Sequence, residues 1–379
     1  MHTLQRHLPF FRILPAVFLV LAAGACNTLH AQKLLWDVDF KFGFDNREYA
    51  SLTTSPSGTL FGAVLSPKAG IGFGKGHALY AGVDLTKYFG QDSPLLSVDY
   101  LLYYQYEGEH FKAYAGSFPR SKVTGHYPTA FFDDRYFFDT GIGGTLLSYS
   151  RKWWRIEGAV DWVGFCDEDT RERFEIFSYG QAGAPWLSAA YTFKMLHYAG
   201  SAVAGGVVDN VWLYPHIASD LSGFLPDRMS LGLRVGWIQT FQNDRIREEG
   251  YLTPGGFQAE AEFGYYGFGI HNIVYAGKNL MPYYYRTGTD GITYGANLYT
   301  GSIFYSTESG IYDRLEISYR YDFKNFLSLR VSSVHHYDGY GWGWQQLVQL
   351  TVDLNNFQFP ARGRKGAGAS GHGHHGPRR

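Results

Sequence analysis

A period of two runs through this chain from residue 34 to residue 354. In the first segment Trp36, Val38, Phe40, Phe42 and Phe44 alternate with Asp37, Asp39, Lys41 and Gly43. Successive side chains of a strand point to opposite faces, so one face collects the apolar groups and the other the charges. The pattern recurs down the chain. Leu79, Ala81, Val83 and Leu85 oppose Tyr80, Gly82, Asp84 and Thr86, and Trp154, Ile156, Val160 and Trp162 oppose Arg155, Glu157 and Asp161. Phe257, Ala259, Ala261 and Phe263 oppose Gln258, Glu260 and Glu262, and Leu315, Ile317, Tyr319, Tyr321 and Phe323 oppose Arg314, Glu316, Arg320 and Asp322. Such a chain folds as an all-β protein.

A soluble sandwich also alternates, so the period alone does not choose between water and membrane. Three further features favour an antiparallel up-and-down transmembrane β-barrel. Charges fall on consecutive positions of the polar face, while the apolar face begins or ends with Trp, Tyr or Phe, as a wet lumen inside a lipid-facing wall with aromatic girdles requires. The segments run about ten residues, the length of a tilted membrane-crossing strand. Tight junctions at 74–76, 107–109, 151–153, 266–267 and 324–325 interleave with long ones near 45–58, 119–140, 241–254 and 277–305. Strand starts near 34, 60, 77, 95, 110, 141, 154, 173, 186, 207, 228, 255, 268, 311, 326 and 344 make sixteen. The stretch 218–227, with Pro226, is too long for a tight turn and leaves fourteen or eighteen open.

Composition excludes other classes. With 33 Lys+Arg against 34 Asp+Glu in 379 residues there is no basic surface to hold a nucleic acid. Two cysteines rule out a disulfide scaffold or a four-cysteine zinc site. A mean hydropathy of −0.22, without an apolar run of about 18 residues, rules out a bundle of membrane helices. At 45% hydrophobic the chain is too apolar for intrinsic disorder.

The termini differ from the body. Residues 1–31 carry Arg6 and Arg12, then an apolar run from Ile13 to Ala25, then small residues, as a secretory signal peptide does. Two processing routes stay open: cleavage after Ala31, or lipidation of Cys26 after Ala23-Gly24-Ala25, which resembles a lipobox lacking its usual Leu. Residues 361–379 hold five basic side chains, no acid, and the run Gly371-His-Gly-His-His-Gly376. That composition implies a disordered tail; its imidazoles could hold a soft cation, but glycine gives them no preorganisation. Removing the basic residues of both termini leaves 26 basic against 34 acidic in residues 32–360, a mildly acidic barrel domain.

With these segments, the signal and a final strand rich in aromatic alternation, the chain resembles bacterial outer-membrane β-barrels of the porin type over most of residues 32–360. It departs from them at the end, where Phe357-Gln-Phe359 is followed by an extension from Pro360. The resemblance implies residence in the bacterial outer membrane, insertion by the assembly machinery, and small hydrophilic solutes as partners in passive diffusion; porins of this type also form homo-oligomers. No cofactor is implied. The expected lumen lining is Asp37, Asp39, Lys41, Asp84, Arg155, Glu157, Asp161, Glu260, Glu262, Arg314, Glu316 and Arg320, and its excess of acids favours cations slightly.

In sixteen-stranded porins the third external loop folds inward and narrows the pore. The corresponding segment here is Pro119–Asp139, PRSKVTGHYPTAFFDDRYFFD. Arg120, Lys122, Tyr127, Asp133, Asp134 and Arg135 are its candidate constriction and solute contacts, and its aromatic density would suit stacking on sugar rings. The competing readings are a surface flap packed on its own aromatics, and a structural or surface-binding barrel with a plugged lumen.

Catalysis is the weaker expectation. Outer-membrane phospholipases and lipid A deacylases place a His two residues before a Ser, and the chain has no such triplet. Omptin proteases pair two acids with an Asp and a His. Asp133-Asp134 and His336-x-Asp338 offer those residue types, but in reversed order and on too large a barrel.

Overall fold

The computed structural model describes residues 33–52, 57–168, 170–184 and 186–355, without the side chain of Arg135. The signal segment with Cys26, the Phe357–Phe359 end and the tail 361–379 lie outside the described residues. The strands are β1 (Lys33–Glu48), β2 (Gly58–Phe73), β3 (His77–Tyr88), β4 (Ser97–Glu107), β5 (Phe111–Pro119), β6 (Gly141–Arg151), β7 (Trp154–Gly164) and β8 (Arg173–Ala184). They continue as β9 (Leu187–Tyr198), β10 (Val208–Asp220), β11 (Met229–Asp244), β12 (Gly255–Tyr265), β13 (Phe268–Gly277), β14 (Ile311–Phe323), β15 (Leu327–Tyr337) and β16 (Trp342–Asn355). Each pairs antiparallel with its neighbours in sequence, and β1 pairs with β16 from Asp37↔Asn355 to Glu48↔Trp344, closing a sixteen-stranded barrel.

The register carries the sequence pattern around the ring. Asp37 sits opposite Lys68, Asp84 opposite Asp99, Asp161 opposite Gly144 and Arg234 opposite Glu260. These charged positions therefore share the inner face. The outer face carries exposed Leu34, Leu102, Ile156, Val235, Ile317 and Val331 along its height. Trp153, Trp154, Trp186, Tyr266 and Phe268 gird one end, and Trp162, Trp237, Tyr340, Trp342 and Trp344 gird the other. An exposed belt of this kind is stable only against hydrocarbon, so the barrel spans a membrane.

The turns follow local chemistry. Tyr266 and Gly267 both take positive φ, 50° and 87°, the geometry of a two-residue turn whose twist matches its strands. The unusually long connection, 221–228, is a genuine turn-side link between β10 and β11. A 3-10 turn at Ser222–Phe224 shortens it, and the Leu231 amide donates to Ser222 Oγ at 3.2 Å. Sixteen is therefore the count. β1 and β11 each run 16 residues and reach farther than the ten-residue expectation, so the loops after them start at 49 and 245 rather than 45 and 241.

The outer-face assignment predicts that Ile317→Arg, midway along β14, lowers stability by about 2–4 kcal/mol. Arg320→Leu on the inner face changes it by less than ~0.5 kcal/mol. Urea titration of the folded barrel in lipid vesicles measures both.

Candidate functional site

The barrel is wide enough to hold loops, and two of them enter it. Loop 120–140, between β5 and β6, begins against its own side of the wall. Arg120 Nη2 lies 2.7 Å from Asp161 and 3.1 Å from Asp139, and donates to the Gly141 carbonyl at 3.1 Å. Lys122 reaches Glu107 at 3.2 Å. Glu157 then accepts four bonds from the loop: Thr124 N at 3.1 Å, Thr124 Oγ1 at 2.8 Å, Gly125 N at 2.7 Å and Tyr127 OH at 3.2 Å. A Cβ at Gly125 would stand 2.6 Å from that carboxylate, so glycine permits the approach.

The loop then crosses the lumen. Thr192 on β9 donates to the His126 carbonyl at 2.8 Å, and Lys194 donates to the Phe131 carbonyl at 3.0 Å, its ammonium 4.0 Å above the Phe132 ring. Asp133 lies 3.7 Å from Arg47 on β1, and Asp134 lies 3.1 Å from Arg314 on β14. β14 stands eight strands from β6 in a ring of sixteen, so this contact is on the opposite wall. The returning arm packs Phe138 against Tyr88 with ring centroids 5.6 Å apart, and covers Gly43, whose missing Cβ would fall 2.5 Å from the Phe138 ring.

Loop 278–310, between β13 and β14, lies against the first. Asp133 N donates to the Thr300 carbonyl at 3.0 Å, and Ser302 N donates to the Thr129 carbonyl at 2.7 Å. Its tyrosines point their hydroxyls at the wall: Tyr294 to Asp244 at 2.9 Å, Tyr299 to Gln242 at 2.5 Å and Tyr305 to Gln258 at 2.7 Å. Leu280, Met281, Leu298 and Phe304 fill the space between the two loops and inward-facing Trp212, Ile238 and Tyr312. Of the Tyr283-Tyr284-Tyr285 run, Tyr283 is buried in this cluster and Tyr285 is exposed.

Charge and water meet at the edges of this assembly. Asp134, Arg47 and Arg120 keep side-chain exposures of 27%, 18% and 15%, whereas Glu260 keeps none. Burial raises the Asp134 carboxyl, but Arg314 beside it outweighs burial and holds the group below its ordinary value. At Asp139 burial prevails over Arg120 and the carboxyl is lifted. Burial alone dominates at Tyr127, whose phenol is pushed up.

The residues expected from sequence are distributed as follows. Asp37 and Asp39 flank Lys68 at 3.3 and 2.5 Å, Lys41 stands 5.5 Å over the Phe137 ring, and Asp84 accepts from Thr140. Arg155 stacks 4.7 Å over Tyr179, and Glu316 pairs with Arg314 and Arg330 at 3.1 and 2.7 Å. Arg320 pairs with Asp322 at 2.9 Å near the turn end, away from the loops. The Arg135 side chain lies outside the described residues. Tyr127 is committed to Glu157 and packs edgewise on Phe132 and Phe177, and Phe131 is buried. Asp134 and His336 line one small void with Arg47 and Arg314, but Asp338 turns away to accept from the Tyr340 and Gly341 amides.

Arg47, Lys68 and Lys194 were not anticipated, whereas Arg330 was expected on the polar face and the Tyr283-Tyr284-Tyr285 cluster of the 277–305 loop raised the same question as loop 119–139: solute contact or a flap packed on its own aromatics. Arg47 continues the odd-numbered inner phase of β1, and Lys68 the even-numbered phase of β2, so phase alone would have found them. The inward course of loop 278–310 has no such signal, because it depends on contacts with loop 120–140.

Comparison with known proteins bears on this geometry in three ways. The fold resembles solved structures from Pseudomonas aeruginosa. OpdL shares 12% identity over 86% of this chain and 99% of that chain, with a TM-score of 0.52. OpdO shares 10% over 85% and 97%, also at 0.52, and the outer membrane protein OprD shares 12% over 85% and 93%, at 0.50. The fold is that of a porin-type outer-membrane barrel. A family model described as lipid A 3'-O-deacylase-type matches residues 26–208, less than half of the chain. No curated protein matches.

The contact between the loops gives a direct test. A Cβ at Gly301 would lie 1.9 Å from the Ala130 carbonyl oxygen. Gly301→Val is expected to part the loops and expose 278–310 to limited proteolysis while the barrel stays heat-modifiable on gels. Gly205→Ala, which has open space around its Cβ, leaves the cleavage pattern unchanged.

Proposed function

We propose that the protein is an outer-membrane channel for passive diffusion of small hydrophilic solutes, narrowed by loops 120–140 and 278–310. The observation that carries this reading is the pair of charges that keep contact with water where the loop tip meets the far wall, Asp134 and Arg47, each held to a buried partner, Arg314 and Asp133. A plug built only to seal a barrel gains nothing from charges kept in contact with water, whereas a passage needs them to replace solute hydration. Solutes pass beside the tip rather than through the buried aromatic cluster. Acids along Asp37, Asp39, Glu262 and Glu316 give the passage a mild preference for cations. The loop aromatics are turned into packing, which withdraws support from an oligosaccharide preference.

The deacylase-type match favours a second reading, acyl-ester hydrolysis of a lipid. Among the described residues within that match, no hydrogen bond joins a His to a Ser. Mass spectrometry of lipid A incubated with the purified protein decides between them: loss of an acyl chain without conductance would replace the channel reading.

Planar-bilayer recording tests the channel itself. The native protein is expected to give small, stable, weakly cation-selective steps, and Asp133→Asn with Asp134→Asn to enlarge them by roughly twofold by freeing the tip. Absence of steps from both proteins would overturn the proposal.

Acid provides an independent check. Because the docked tip depresses the Asp134 carboxyl, its tie to Arg314 is complete at neutral pH and is lost as pH falls through that lowered value. Asp139 works in the opposite sense, since its raised carboxyl makes docking easier once protonated. Step size therefore holds or shrinks as pH falls from neutrality toward the ordinary carboxylate value and grows only below it.

A further inference from the structure

The turn end of the lumen carries negative charge that the wall does not balance. On the inner face Asp39 of β1 sits directly opposite Asp353 of β16, and Asp37 sits opposite Asn355, the last residue of that strand. Like charges facing each other across a ladder repel. Oxygens of Asp37, Asp39 and Asp353 lie within 4.8 Å of one another. One cation serves the group: Lys68 Nζ of β2 stands 2.5 Å from Asp39 and 3.3 Å from Asp37. Asp353 is exposed and makes no ion pair among the described residues; its side chain accepts from Asn355 Nδ2 at 2.9 Å. The arginines of β14 and β15 toward that end are already matched, Arg320 to Asp322 at 2.9 Å and Arg330 to Glu316 at 2.7 Å.

The chain that leaves β16 beside Asp353 carries what this group lacks. Residues 360–379, outside the described residues, hold Arg362, Arg364, Lys365, Arg378 and Arg379 and no Asp or Glu. Arg362 follows Asn355 by a stretch of chain that spans at most about 25 Å. Its cations are therefore tethered within reach of Asp353. A short tether gives an effective concentration on the order of millimolar, so a contact that is weak between free molecules is occupied within one chain. The facing part of the turn end offers no such complement, because Leu35, Tyr80, Tyr103 and Tyr114 fill it with buried apolar groups.

We propose that the basic segment 362–365 docks on the inner face of β16 and β1 at the turn end, with Asp353 as its main partner and Asp37 and Asp39 beside it, so that the chain's own tail is a tethered blocker of the lumen. Lys68 keeps its place between Asp37 and Asp39, and the tail supplies the cation that Asp353 lacks. Arginine suits this role, because its planar fork meets a carboxylate with two parallel bonds. In an extended chain Arg362 and Arg364, two positions apart, face the same way. The pairs formed are in contact with water, so salt screens them. A docked tail competes with cations for the acids that line the passage. That consequence rests on the channel reading, whereas docking itself is measured without conductance.

Docking is read by zero-length carbodiimide crosslinking of the full chain in lipid vesicles, followed by mass spectrometry. Lys365, the one lysine among residues 360–379, is expected to couple to Asp353, Asp37 or Asp39, with a yield that falls at least about fivefold when salt is raised to about 0.5 M. No coupling, or equal coupling to Asp220 and Glu109 at other turn-end positions, would overturn the proposal. Planar bilayers read the consequence. Arg362→Gln, Arg364→Gln and Lys365→Gln together, which leave β16 intact, should make brief closures at least about tenfold rarer, and a peptide of residues 360–379 added on the turn side should restore them. Asp353→Asn should weaken that block by at least about threefold. Closures unchanged by the triple substitution would sink the blocker. If no form of the protein conducts, the channel reading fails and crosslinking alone still decides whether the tail docks.

Discussion

The closure of β1 onto β16 governs everything else in this molecule. In hydrocarbon no water can satisfy a backbone N–H or carbonyl, so a sheet survives there only if it has no edge. The antiparallel register from Asp37↔Asn355 to Glu48↔Trp344 provides the last set of partners. Once the ring is closed, alternation has a fixed meaning: every odd-phase charge of β1 and every matching position on fifteen other strands faces one shared interior. A single-residue slip at any ladder would put those charges into lipid, which is why the pattern is kept so strictly.

A closed ring of this size leaves an interior that wall side chains cannot fill. The loops resolve that problem in two layers of different chemistry. Between the loops and the wall of β9 to β14 the packing is aromatic, with each buried ring contributing about 1.5–3 kcal/mol. At the rim of that layer each ion pair joins one partly exposed group, Asp134 or Arg47, to a buried one, Arg314 or Asp133. The aromatic layer therefore holds the loops in the lumen, and the ion pairs determine where the tip of loop 120–140 rests.

The same contrast explains what the sequence could disclose. Strand starts and inner-face residues are set by a period of two and by turn residues such as Gly74, Gly76 and Gly267, all local signals, and the observed strands begin within two residues of those expected. Arg47 was lost only because β1 runs to Glu48, beyond the length that a bilayer requires. Loop 278–310 was legible as long and tyrosine-rich, but its destination was not. Its position rests on Ala130, Thr129 and Asp133, residues about 170 positions away in sequence. The pairing of His126 with Glu260 was hidden for the same reason: one member sits on β12, and the other arrives on a loop from the other side of the barrel.

That long-range construction also limits what the deacylase-type match can mean. Residues 26–208 take in β1 to β9 and end at the first residue of β10, a run of strands that cannot close without the remainder. What such a segment carries by itself is alternation, turns and the wall chemistry of a lipid-facing sheet, which any outer-membrane barrel needs. Its most charged loop, 120–140, finds partners inside the match, on β1, β7 and β9, and outside it, on β12, β14 and loop 278–310. The chemistry at the centre of this protein is thus assembled from both halves of the chain.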